Sequence, residues 1–162
     1  MAVLVWIVES TWPACVDAAR AHAAEGADVV LLHVNDQGLP DAAHGAFAGL
    51  LGRGHPEHDP GTALEHLAAA TAAELLEAAA DRLGRPCTRV ERTGRGEREV
   101  VAAADGADLL VLARDGDQRR LGPRSLGPAV RFVVDHAPCP VLLVWPEPAP
   151  GLHTIPPAPP HH

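Results

Sequence analysis

The stretch "RDGDQRRLGPRSLGP", residues 114–128, places four arginines, one serine and three glycines between an apolar run and an apolar helical pattern. Those residue types suit anion binding. Guanidinium groups meet phosphate oxygens two at a time, glycines let backbone approach a ligand closely, and the free N–H groups of a helix start hold negative charge. Gly116, Arg119, Arg120 and Gly127 are therefore candidate anion-site residues, with Arg114, Arg124 and Ser125 as further donors. The same stretch carries a contrary signal. Pro128 fits a first helical turn but offers neither an N–H nor a hydroxyl. Losing two charge-assisted donors at about 1.5–3 kcal/mol each weakens a micromolar site by one or more orders of magnitude. Asp115 and Asp117 offset part of the arginine charge, so a solvated loop of mixed charge is the plainer reading.

Two other groups of residues have chemical potential. His44, His55 and His58 lie near Glu57 and Asp59 in the segment containing "GHPEHDP". Zinc takes four such ligands in a tetrahedron. Here Pro56 and Pro60 impose a turn, no cysteine is near, and with ten histidines in the chain chance clustering is the stronger reading. Cys15, Cys87 and Cys139 are widely spaced and odd in number, which excludes a simple disulfide framework. None has a histidine–acid pair beside it, so all three read as packed, reduced thiols. His33, inside an apolar run, likewise reads as a packed strand residue.

The elements that must position these residues alternate. Residues 3–8 form an apolar, β-branched run, and residues 28–34 a second. Such runs are strands covered on both faces. Between them Pro13 suits a first helical turn and Gly26 a helix end. A polar, glycine-rich segment, 36–61, follows and reads as a long loop or lid. The next helix opens on a capping box, Thr62 to Glu65, ends at Gly84, and sets Leu64, Leu67, Leu75, Leu76 and Leu83 on one face. "PCTRVER" is a weaker strand near a sheet edge, "GEREVVAAADGA" a short helix, and residues 108–113 a buried strand. The arginine-rich loop, the helix "GPAVRFVVDHA" and the strand "PVLLVW", residues 140–145, complete the series. This order predicts a single doubly wound α/β domain over 1–146: a five-stranded parallel sheet with helices on both faces. Ligands of such folds sit beyond the carboxyl ends of the strands, so Glu9 and Val34 join the candidate site. The tail, 147–162, is proline-rich and reads as an arm without regular structure.

Composition bounds the function. A formal net charge of −8 argues against a nucleic-acid partner, and the absence of lysine excludes a P-loop lysine or a lysine nucleophile. The apolar N-terminus lacks a basic flank and is too short to span a membrane. The expected setting is cytoplasmic.

"LGPAVRFVVDHAPCPVLLV", with "LLHVND" and "TGRGEREVVAAADGADLLVLA", resembles the universal stress protein family over most of residues 3–145. The resemblance implies a Rossmann-like fold of the adenine nucleotide alpha hydrolase kind. It also implies a homodimer through the last strand, 140–145, and binding of ATP or another adenine nucleotide in those members that carry an Asp after the first strand and the full glycine motif. Here the Asp position falls on Val8, with Glu9 next. The first motif glycine falls on Ala113; Gly116 and Gly127 match the others, with ten residues between them instead of nine; and Pro128 replaces the hydroxyl residue. The expectation is a non-catalytic stress-response domain acting through a ligand or an unknown protein partner, with ATP binding weak or lost. Two alternatives stay open: a nucleotide binder, even a slow ATPase, that uses Arg119 and Arg120, and a metal binder that uses the histidine loop.

Overall fold

In the computed structural model, residues 1–36 and 60–161 are described, and the elements follow the alternating order. Strand β1 (Ala2–Trp6) leads to helix α1 (Trp12–His22) and strand β2 (Asp28–Asp36). Helix α2 (Pro60–Leu83) precedes β3 (Thr88–Gly94), α3 (Gly96–Ala103) and β4 (Leu109–Ala113). A short 3-10 turn (Pro123–Ser125), helix α4 (Pro128–His136) and β5 (Val141–Val144) follow. The strands form one parallel five-stranded sheet in the order β3-β2-β1-β4-β5. This is the doubly wound arrangement expected from the sequence.

Period-two alternation divides the strands between two cores. Val3, Val5, Ile7, Val29, Leu31 and Val111 point to one face, where α1 and α2 cover them with Cys15, Val16, Ala19, Leu76 and Leu83. Leu4, Trp6, Leu32, Leu110 and Leu112 point to the other, against Val100 of α3 and Val130 and Val133 of α4. β1 sits centrally, pairing with β2 (Val5↔Leu31) and with β4 (Val5↔Val111). β3 and β5 are the edges, and their residues are more exposed than those of β1 and β4.

Two details depart from the sequence reading. Helix α2 begins at Pro60, two residues before Thr62, so Thr62 lies within its first turn and is not its cap. Proline is favoured at that first position because its missing N–H has no intrahelical partner there anyway. The buried stripe of α2 is Ala72, Leu76, Ala79 and Leu83, whereas Leu67 is 64% exposed. Small alanines let the helix sit close to the sheet, and the leucine pattern alone does not reveal them. The long loop, with His44, His55, Glu57, His58 and Asp59, lies outside the described residues.

On the surface, Arg82 of α2 grips Asp17 of α1 with two bonds of 2.8 Å. The Arg82 hydrogen bond holds the Asp17 carboxyl below its ordinary range. With its folded pKa depressed, the pair contributes fully above the ordinary aspartate pKa, and the contribution is lost as pH falls from there through the lowered folded value. Both side chains are about half exposed, so the contribution is small.

The central strands should tolerate truncation least. Leu110→Ala, at a fully buried position, is expected to cost about 2–5 kcal/mol, and Leu67→Ala no more than about 0.5 kcal/mol, in urea unfolding.

Candidate functional site

The winding reverses between β1 and β4, so the crevice of this fold opens where those two strands end. After β1 come Val8, Glu9 and Ser10; after β4 comes the loop from Arg114 to Gly127. Val8 and Val34 are half-buried and pack against the second core. They supply apolar bulk. Glu9 is exposed, and no hydrogen bond joins it to the loop among the described residues.

The loop satisfies many of its own polar groups, while Arg114 Nε and Gln118 Oε1 are buried without a partner among the described residues. The Gly116 N–H donates to the Ser125 carbonyl and the Asp117 N–H to the Arg124 carbonyl, both at 2.8 Å. These two bonds tie the ends of the loop together and leave the extra residue in its tip. A Cβ on Gly116 would collide with the Arg124 carbonyl oxygen. Gly116 is therefore needed for loop closure, a requirement independent of any ligand. The Gln118 amide donates to the Arg114 and Gly116 carbonyls at 3.1 and 3.3 Å.

The start of α4 is occupied as well. Its flanking residue is Gly127, followed by Pro128 at the first helical position. The Gly127 N–H donates to Asp115 Oδ1 at 2.6 Å. A Cβ at position 127 would lie 2.7 Å from that same oxygen, so glycine leaves room for the carboxylate. Asp115 thus does from across the loop what a glutamate in the first turn does in a capping box. It also places a negative charge at the positive end of the helix, where a phosphate would otherwise sit.

The four arginines divide into two groups. Arg114 turns inward: its guanidinium stacks 4.5 Å over the Trp145 ring and donates to Ser125 Oγ at 2.6 Å. Ser125, fully buried, donates its own O–H to the Gly122 carbonyl at 2.6 Å. Ser125 is thus engaged on both sides, whereas the buried Arg114 Nε has no hydrogen-bond partner among the described residues. Arg119 pairs through Nε with Asp117 at 3.2 Å. The Arg119 backbone N–H, then its guanidinium, hold the Asp117 carboxyl below its ordinary range. Arg119, Arg120 and Arg124 line a cleft shared with the tail, and neither Gly116 nor Gly127 is among its lining residues.

That cleft exists because the tail is not free. Residues 152–154 form a 3-10 turn, where composition alone predicts an irregular arm. The Thr154 hydroxyl donates to the Gly151 carbonyl at 2.7 Å and accepts the Leu121 N–H at 3.0 Å. One threonine among the prolines supplies the polar contacts that prolines lack. A Ser/Thr next to glycine is a turn signal, but its partner in the loop, 33 residues away, is not visible along the chain.

The remaining chemical candidates are structural. His33 Nδ1 lies 2.8 Å from the Ile7 carbonyl, which only accepts, so this nitrogen carries the proton. Burial pushes the Cys15 thiol up to about 12. Burial, then the Asp108 charge, raises Cys139. Among the described residues no group of three or more His, Cys, Asp or Glu is placed to hold a metal ion. None of their helices is long and apolar enough to cross a membrane.

Sheet order, crossovers and the self-closed loop at the switch point define a doubly wound, Rossmann-like α/β domain. The chain belongs to the universal stress protein family, whose family model matches residues 8–144. Solved structures with this fold include universal stress protein UspA from Lactobacillus plantarum, with 21% identity, a TM-score of 0.60, and 89% of this chain and 97% of that one covered. A universal stress protein in complex with cAMP gives 19% identity and a TM-score of 0.60 over 91% and 98% of the two chains. A family member from Arabidopsis thaliana, At3g01520, with AMP bound, gives 21% identity and 0.57 over 90% and 91%. No curated protein matches the chain.

The thiolate is the nucleophile of alkylation. Iodoacetamide at pH 8 is therefore expected to label Cys87 before Cys139, and Cys15 only after denaturation, as read by mass spectrometry. Early labelling of Cys15 would show that the α1 core is not closed as described.

Proposed function

We propose that this universal stress protein is non-catalytic and acts by binding a ligand or a protein partner, with ATP binding at the loop–helix cradle weak or lost. The observation that carries this reading is the 2.6 Å bond from the Gly127 N–H to Asp115. Pro128 has already removed the neighbouring N–H, and the Gly127 amide that flanks it serves an internal carboxylate. An incoming phosphate meets that carboxylate as a like charge. Arg114 and Ser125 are bound to each other, and Val8 offers no carboxylate for a ribose.

Calorimetric titration tests this. The expected ATP dissociation constant is weaker than about 100 μM, and a tighter one overturns the reading. In the double variant Asp115→Ser, Pro128→Thr, which frees one donor and adds another, affinity should rise by about tenfold or more. An unchanged affinity would show that these two residues are not what limits binding.

A second reading, adenine nucleotide binding with arginines as replacement donors, draws support from the relatives solved with cAMP and AMP. It requires that Arg119→Ala with Arg120→Ala abolish nucleotide binding.

We also place the protein in the cytoplasm as a homodimer without a nucleic-acid partner. The support for pairing is β5. It is a sheet edge of four apolar residues, each half-buried, and such an edge invites a second strand. Light scattering at micromolar concentration should give twice the chain mass, and a monomer would refute the pairing.

A further inference from the structure

The cleft between the arginine loop and the tail is unlike the rest of the surface. It measures about 600 Å³ and is lined by Arg119, Arg120, Arg124 and His153, by Leu121, Pro123, Ile155, Pro156 and Pro157, and by Thr154. In a chain of net charge −8, this lining contains no carboxylate. Among the described residues the Arg120 and Arg124 side chains have no hydrogen-bond or ion-pair partner. Arg119 uses Nε on Asp117 and keeps its outer nitrogens uncommitted. Two guanidinium groups without an ion-pair partner, and a third with free outer nitrogens, favour an oxyanion with several oxygens.

The rest of the lining is mostly apolar and comparatively stiff. Pro123 of the loop and Pro156 and Pro157 of the tail have little conformational freedom to lose on binding. Ile155 is 52% exposed, a large apolar side chain left open beside the guanidinium groups. The Leu121–Thr154 hydrogen bond holds the two walls together. Clefts of this size suit small molecules, and their usual design is an apolar wall with a few convergent polar groups.

We propose that this loop–tail cleft binds a small organic phosphate. The phosphoryl group lies against Arg120 and Arg124, and an apolar or aromatic body rests on Leu121, Ile155 and the prolines. The site is separate from the cradle at Gly127 and does not depend on whether that cradle binds ATP. Because the tail supplies one wall, binding also tightens the tail onto the loop.

The test is an amide NMR titration of the full chain with phenyl phosphate and, separately, with inorganic phosphate. The expected result is saturable shifts at Leu121, Arg124, Thr154 and Ile155. Phenyl phosphate should bind about tenfold or more tightly than inorganic phosphate, because only it uses the apolar wall. Arg120→Ala with Arg124→Ala, both exposed and expected to leave the melting temperature unchanged, should weaken binding by about tenfold or more. Thr154→Val, which releases the tail, should weaken it too. Four results overturn the proposal: no shifts at millimolar ligand, equal affinity for the two ligands, affinity unchanged in the arginine variant, or shifts centred on Gly127 and Asp115. Binding of an acidic peptide in preference to phenyl phosphate also overturns it, in favour of a protein partner.

Discussion

One backbone N–H serves one strong acceptor at a time, and at the start of α4 that limit decides what the loop can do. Pro128 supplies no N–H, and Gly127 gives its own to Asp115. The carboxylate both caps the helix and neutralises its positive end. Much of the loop's remaining geometry is compatible with this one bond. The backbone pairings Gly116–Ser125 and Asp117–Arg124 bring the chain back on itself, so that residue 115 stands beside residue 127. Ser125 and Arg114 lock the base of the loop against Trp145. The result keeps the outline of a phosphate cradle with the Gly127 amide already engaged.

The same closure determines where the loop is open. Turning Arg114 inward and tying residue 116 to residue 125 leaves Arg119, Arg120 and Arg124 on the outer flank, beside the tail. The tail reaches them because β5 ends next to the loop and Thr154 offers a hydroxyl at the right turn. A sheet edge, an arginine loop and a proline-rich arm thus meet at one corner of the molecule. In this fold that corner lies close to the switch point, so a ligand or partner there is near the elements that position the cradle.

The fold was legible in the sequence because its signals are periodic and local. The apolar runs of β1, β2 and β4, Pro13 and Pro128 at helix starts, and the weak polarity pattern of β3 all point to the observed order. Helix α2 was harder. Its buried stripe relies on Ala72 and Ala79, and alanine carries no periodic contrast in a segment already rich in alanine. The site was legible only as residue types. Gly116 and Gly127 are each needed for an internal contact: with the Arg124 carbonyl in one case and Asp115 in the other. Arg119 and Arg120 line the cleft shared with the tail. Asp115 looked like one of two acids diluting the arginines, because its partner is twelve residues away and the bond depends on how the loop closes. Thr154 was hidden for the same reason, as the lone useful hydroxyl in a stretch read by its prolines.

The central claim is that the Gly127 amide is held by an internal carboxylate rather than kept for a nucleotide. The most direct measurement is the Gly127 amide resonance and its hydrogen-exchange rate, followed with and without millimolar ATP and magnesium. The account predicts a protected amide whose resonance and exchange rate do not change when nucleotide is added. A Gly127 resonance that moves saturably with ATP, or an amide that exchanges freely until ATP protects it, would contradict the claim.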